Sequence, residues 1–416
     1  MAELKFKKVR GTRDILPEES ILYRIVEKTA CDIFEESGFS EIKIPTFEEV
    51  GIFIHSTGET TDIVQKEMYV FQDKKGRTLA LRPEGTPGVV RAYLENSLNQ
   101  KLPISRFYYA GQMFRYERPQ EGRYREFYQI GCEYFGNSSS SADAEIILLM
   151  KNIYDRLGIT NLKIELNSIG CENCRGKYRS ALIDFLEKIK NGLCDDCKIR
   201  IIKNPLRVLD CKKDSEKFTD KKFPKITDFL CENCSKHFNE VQELLSVLNI
   251  DFILKPNLVR GLDYYTRTVF EAKVGESEAI AAGGRYDNLV EQLGGEKTPA
   301  IGFAIGVERT VEILKNFLHI PKKNHVVIVV QQEPEIIKKS FEVLKKIQKE
   351  KIPVIGPYSD RSLKAQMRIA NSINARFVLI FGKNEIQKNA VILRNMTQKT
   401  QEEVDIENIT QKLKMS

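Results

Sequence analysis

The chain has 416 residues, 42% hydrophobic and 30% charged, with a net charge of +7. That length is too great for one ordinary core and predicts two or three domains, while the absence of an apolar run long enough to cross a bilayer argues against a membrane protein. The basic N-terminus MAELKFKKVRGTRDILPEE has no apolar stretch behind it and does not read as a secretory signal, so a cytoplasmic chain is expected, and its nine cysteines read as thiols or metal ligands rather than disulfides.

Residues 20–37 carry apolar side chains at Ile21, Ile25, Ala30 and Ile33 or Phe34, the spacing of one helix face, with Ser20 as the N-cap and Gly38 as the stop. FSEIKIPTFEE predicts a strand that breaks at Pro45, and residues 55–70 read as a loop or lid. Residues 78–82 predict a short strand ending in the turn Pro83-Glu-Gly-Thr86. Glu84 and Thr86 therefore leave a strand end with backbone freedom at Gly85, a place where ligand-contacting side chains tend to be presented. A helix is predicted over 87–96.

Residues 106–135 read as a long antiparallel hairpin. Gly111, Met113, Arg115 and Glu117 share one face of its first arm, and Phe127, Gln129, Gly131, Glu133 and Phe135 share one face of the second. The polar middle, 118–124, carries Pro and Gly and reads as the turn. Arg115, Gln129 and Glu133 can then stand on one platform. An amphipathic hairpin with a solvated face is the other reading, and the hairpin alone does not decide between them.

Further along, 144–157 predicts an apolar helix and 162–166 a strand. Between 171 and 249 the pattern becomes charged and helical, with Lys-rich loops and seven of the nine cysteines. This reads as a helical insertion dividing a core into 1–170 and 251–320. Strand character returns over 252–272; 279–284 is small and apolar, and 299–313 passes from glycine-bearing strand into helix near Glu308. A linker is expected around Pro321. Residues 325–416 then alternate strand and helix as a small α/β domain. Residues 321–416 hold 18 Lys and Arg against 10 Asp and Glu, so the whole basic excess sits there. A basic terminal module suits contact with a phosphate backbone, and a lysine-rich solubilising surface is the other reading.

Cys171-x-x-Cys174, Cys194-x-x-Cys197 and Cys231-x-x-Cys234 are three spaced pairs, with Cys211 between the second and third. Two such pairs commonly make a tetrahedral zinc site, and Cys194, Cys197, Cys231 and Cys234 are the set expected. Reduced, unligated thiols are the other reading, and spacing does not decide between them.

FRYERPQEGRYREFYQIGCEYFG, residues 114–136, resembles the second signature motif of class II aminoacyl-tRNA synthetases in its histidyl-tRNA synthetase version. LVRGLDYYTRTVFEA at 258–272 and AAGGRYDN at 281–288 are similar to the two histidyl signatures of that family, and IGFAIGVER at 301–309 resembles the third class motif. The helix and strand of 20–49 resemble the first, which builds the dimer interface in that family. The resemblance runs from RGTRD at residues 10–14 to the C-terminal domain.

It implies an α+β fold: a class II synthetase-like antiparallel sheet flanked by helices, with a helical insertion and a C-terminal α/β anticodon-binding domain. It implies a homodimeric aminoacyl-tRNA ligase that joins L-histidine to histidine tRNA with ATP and Mg²⁺. By position, Arg115 and Arg260 would be the cations on the reacting phosphate. Glu84, Gly85 and Thr86, with Gln129 and Tyr264, would hold the α-amino group of histidine. Glu133 and Tyr265 would face the imidazole. If the chain is extended there, Tyr264 and Tyr265 point to opposite faces. Arg309 would stack over adenine, Arg123 would lean toward nucleotide phosphate, and Arg118 and Gln120 toward RNA. Zinc is not a hallmark of the family. A non-catalytic relative, the synthetase-like regulatory subunit of histidine biosynthesis, is the alternative. That relative lacks the C-terminal domain and departs from the histidyl signatures.

Overall fold

The computed structural model describes residues 6–120, 122–211, 213–214, 217–218, 223–275, 277–318 and 325–415. The backbone packs into two units, Met1–Leu318 and His319–Ser416. The linker expected around Pro321 lies outside the described residues. Among those residues no helix is long and apolar enough to cross a membrane.

Helix α1 (Pro17–Glu36) buries Leu22, Val26, Ala30, Ile33 and Phe34 along one stripe. It begins at Pro17 rather than at the expected cap Ser20, because proline's fixed φ suits the first turn and its missing N–H would have no partner there. The strand expected next is two short ones, β1 (Ser40–Glu41) and β2 (Phe47–Glu49), separated by Pro45. The stretch read as a loop or lid is more regular than expected. Helix α2 (Val50–Thr57) reaches into it on the strength of a buried Phe53, and a single π-turn at Ile63–Glu67 leads to β3 (Val70–Gln72). With β4 (Thr78–Leu81), β2 and β3 form a small sheet in the order β2-β4-β3. Helices α3 (Thr86–Glu95) and α4 (Leu98–Lys101) lead into the hairpin.

The hairpin pairs β5 (Ser105–Phe114) with β6 (Glu126–Phe135) along their full lengths, Gly111 opposite Gln129. After it come α5 (Ser140–Arg156), β7 (Leu162–Ser168) and the helices α6 (Glu172–Ile189), α7 (Asp195–Lys203) and α8 (Glu232–Val247). Strands β8 (Phe252–Leu254), β9 (Thr266–Val274) and β10 (Ala281–Arg285) follow, then α9 (Leu289–Gln292), β11 (Ala300–Gly306) and α10 (Val307–Lys315).

Eight strands make one sheet in the order β1-β5-β6-β11-β10-β9-β7-β8. Its central pairings are antiparallel and only the two edge pairings, β1 with β5 and β7 with β8, are parallel. Helices α1, α5 and α10 pack on it. The fold is therefore α+β, with α6–α8 inserted between two neighbouring strands. Arg285, fully buried at the end of β10, pins the insertion to the core. Its guanidinium pairs with Asp143 of α5, and Asp143 Oδ1 lies 3.0 Å from Nε2 of His237 on α8. Burial by itself would raise the pKa of Asp143; Arg285 and His237 outweigh it and hold the carboxyl below its usual value.

The second unit contains β12 (Val326–Val330), α11 (Pro334–Lys349), β13 (Val354–Ile355), α12 (Leu363–Ser372) and β14 (Phe377–Phe381). It closes with α13 (Lys383–Gln387), β15 (Ala390–Asn395), β16 (Thr400–Asp405) and α14 (Ile409–Met415). The sheet order is β13-β12-β14-β15-β16, parallel on one side and antiparallel on the other. Apolar clusters cover both faces.

Candidate active site

A cavity of about 230 Å³ opens on the eight-stranded sheet of the first unit. Arg115 stands just past the end of β5, where its Nε donates to the carbonyl of Pro83 at 2.9 Å and its guanidinium lies 5.3 Å from the Phe127 ring centre. Arg260 comes from the turn between β8 and β9. It forms a close ion pair with Glu271 of β9, while its Nε is buried without a hydrogen-bond partner. Both guanidinium groups line the same cavity.

The polar end of the cavity is a buried network. Glu84 accepts from the Tyr264 hydroxyl at 2.8 Å and the Thr57 hydroxyl at 3.1 Å. Glu133 accepts from Thr86 at 2.6 Å and closely from Tyr286. Burial raises the pKa of Glu84, and it pushes Glu133 up to about 8. The side-chain oxygen of Gln129, also buried, has no hydrogen-bond partner. Unpaired buried acceptors are uncommon in folded proteins, and Gln129 is among the residues that line the cavity.

Two glycines create this space. A Cβ on Gly85 would collide with the ring of Tyr109, so Gly85 lies behind the wall and lets that ring form it. A Cβ on Gly302 would collide with the carboxylate of Glu133. Tyr264 and Tyr265 do not point to opposite faces. They precede β9, Tyr264 in a turn, and both line the cavity with ring centres 4.7 Å apart. At the other end Arg309 donates to the carbonyl of Ala279 at 2.6 Å and pairs with Glu278 at 2.6 Å, and Arg123 pairs with the same Glu278 at 3.0 Å. Arg118 and Gln120, in the hairpin tip, are exposed and are not among the lining residues.

A family model described as Histidyl-tRNA synthetase matches residues 11–172 and 207–310, and one described as Anticodon binding domain matches residues 325–415. The chain belongs to the histidyl-tRNA synthetase family. It is 48% identical over 409 residues to the histidine–tRNA ligase of Thermodesulfovibrio yellowstonii, covering 98% of this chain and 97% of that one. The histidine–tRNA ligase of Elusimicrobium minutum is 47% identical, with 98% of each chain covered. Among solved structures, the apo histidyl-tRNA synthetase of S. aureus superposes with a TM-score of 0.79 at 32% identity, covering 98% of this chain and 99% of that one.

Within this histidyl-tRNA synthetase fold, Tyr109, Glu271 and Tyr286 line the cavity and the Thr57 hydroxyl holds Glu84, and the sequence assigned no role to any of these. An acid within the β-branched and aromatic run of β9 was the available signal for Glu271. Thr57 and Tyr109 carried none, since each looks like ordinary helix or strand filling.

The cysteines are grouped differently from the expected set. Cys231 and Cys234 lie with Cys171 and Cys174, whereas Cys194 and Cys197 lie with Cys211 and with Asp214, an acid that spacing alone did not single out. The reason is topological. The starts of α6 and α8 meet at the base of the insertion, while α7 is folded against the segment after it.

Proposed function

We propose that this chain is a histidine–tRNA ligase. A carboxylate oxygen of L-histidine attacks the α-phosphorus of ATP, giving histidyl-adenylate as the bond to the bridging oxygen breaks and pyrophosphate leaves. A ribose hydroxyl at the 3′ end of histidine tRNA then attacks the carbonyl carbon, and AMP leaves. The observation that carries this reading is convergence. Arg115 and Arg260, from distant parts of the chain, share one cavity with a buried polar pocket. Two anions must meet in the first step, and cations already held in place stabilise the charge that builds on the phosphate. In this reading Arg115 contacts the α-phosphate and Arg260 neutralises its far side.

The unpaired oxygen of Gln129 supports its assignment to the α-amino group of histidine, together with Glu84, Thr86 and Tyr264. Glu133, oriented by Thr86 and Tyr286, and Tyr265 face the imidazole. A pocket of buried polar groups rejects apolar amino acids because its own donors and acceptors would go unpaired. Arg309 stacks on adenine, and Arg123 meets nucleotide phosphate once ATP replaces their shared contact with Glu278. Arg118 and Gln120 reach toward the acceptor end of the RNA, in keeping with their exposure. Carboxylate oxygens line the cavity at Glu117 and Glu271, a donor type that suits Mg²⁺. These two would hold the ion, whose chemistry is to neutralise charge on the β- and γ-phosphates.

The basic C-terminal unit binds the anticodon arm in this reading, and the protein works in the cytoplasm as a homodimer. Exposed Phe47 and Phe71 on the small sheet, with ring centres 6.3 Å apart, and Val70 beside them offer an apolar surface for the second copy. We also place structural zinc on the cysteines of the insertion, apart from the reaction. Histidine-dependent exchange of pyrophosphate into ATP, without RNA, tests the proposal. Exchange that requires histidine is the expected result, and its absence from folded protein overturns the reading.

A further inference from the structure

We infer that the insertion holds two separate tetrahedral metal sites of the zinc type, one built from Cys171, Cys174, Cys231 and Cys234 and the other from Cys194, Cys197, Cys211 and Asp214. This deepens the placement of zinc given above and does not depend on the adenylation chemistry. In each group the four ligand atoms lie within 4.8 Å of one another. The sulfur separations are 3.5 Å for Cys171 and Cys174, 4.0 Å for Cys171 and Cys231, and 3.7 Å for Cys194 and Cys211. A disulfide needs about 2.05 Å. Four ligands at about 2.3 Å from a central ion stand about 3.8 Å apart along the edges of their tetrahedron. The observed separations fit the second geometry and exclude the first.

The surroundings suit thiolate charge. Cys171, Cys194 and Cys231 each occupy the N-cap of a helix, α6, α7 and α8, and the second cysteine of each pair sits in the first turn. Helix N-termini favour negative charge. The backbone N–H of Cys231 donates to Sγ of Cys174 at 3.1 Å. In the second group Asp214 is buried, accepts from the backbone N–H of Cys194 at 3.0 Å, and is held on its other oxygen by Lys217 at 2.7 Å. A ligating carboxylate fixed by neighbours in this way is the usual support of a metal site. The stretch of the family model that matched leaves out residues 173–206, where Cys174, Cys194 and Cys197 stand.

The two sites would do different jobs. The first clamps the base of the insertion, joining the start of its first helix to the start of its last. The second closes the chain between Cys194 and Asp214, and that segment reaches the Arg260 turn. Arg207 donates to the carbonyl of Arg260 at 3.0 Å, and Asn204 donates to Asp263 at 3.3 Å. The second ion would thus hold in place the support under Arg260. Arg207 and Asn204 are positioning residues in this arrangement.

The test is metal content, by elemental analysis of full-length protein purified without chelator. Two equivalents of zinc per chain are expected. Cys231→Ser and Cys211→Ser should each retain one equivalent, and the double variant none. Because either variant could misfold, the wild-type protein exchanged with Co²⁺ gives a second readout. Strong visible d–d bands with thiolate charge-transfer absorption, saturating at two equivalents, support both tetrahedral sites. Folded wild-type protein that carries no metal as purified and takes up no Co²⁺ overturns the proposal. A single equivalent unaffected by Cys211→Ser overturns the second site. Loss of pyrophosphate exchange with both ions retained would count against the proposed reaction and not against the metal sites.

Discussion

Strand β12 of the second unit and strand β6 of the first are both largely buried, yet they bury different chemistry. All five residues of β12, VVIVV, are apolar and covered on both faces. Strand β6 buries Glu133 almost completely and includes the unpaired oxygen of Gln129. A wholly apolar strand stabilises its unit through burial alone. A strand that buries a carboxyl and an unsatisfied amide carries a desolvation cost that packing does not repay. Such a strand makes sense when a ligand supplies the missing partner.

Substitutions can separate the two kinds of strand. The largest effect is expected at the converging cations. Arg115→Ala or Arg260→Ala should lower the rate of pyrophosphate exchange by about 10² to 10³, the range for losing one preorganised group that stabilises transition-state charge. Thermal denaturation should show the variants still folded. In β12, Ile328→Ala should instead cost about 2–4 kcal/mol of stability by leaving a cavity, read by denaturant titration. Histidine-dependent exchange should survive that change, because Ile328 belongs to the second unit's core.

Glu133→Gln should raise the histidine KM by about tenfold, roughly the cost of one buried hydrogen bond. Unchanged histidine dependence would remove Glu133 from the site. The same residue predicts a pH effect. Its folded-state value of about 8 lies above the ordinary 4.5, so the folded protein binds a proton that the unfolded chain has already released. Stability from this group is therefore fully present below about pH 4.5 and is lost as pH rises toward about 8. Melting temperature against pH for ligand-free protein should show that fall, and Glu133→Gln should flatten it. The smallest effect is expected at Arg123, which is partly exposed and already paired with Glu278. Arg123→Ala should raise the ATP KM by roughly threefold, since a partly screened ion pair contributes less than about 1 kcal/mol.

Much of the catalytic half was legible because strand period and signature residues report on one another. Alternation placed Arg115, Gln129 and Glu133 on one face, and all three line the cavity. The turn at Glu84 and Thr86 followed from Pro and Gly beside a short strand. Strand β16 was not legible, since TQEEVD buries only Val404 and so lacks an apolar signal.

By itself the sequence determined much of the local chemistry of this protein: most of the strand and helix segments of the catalytic half, where the basic excess lies, and that three cysteine pairs stand at CxxC spacing. Those properties depend on neighbours a few residues apart. Tertiary structure alone decided which cysteine pair meets which, that Asp214 joins one group, that Tyr286 and Thr86 grip Glu133, and that Arg260 faces Glu271. Such partners are far apart in the chain, and their meeting depends on strand order and helix packing, which short-range spacing does not encode.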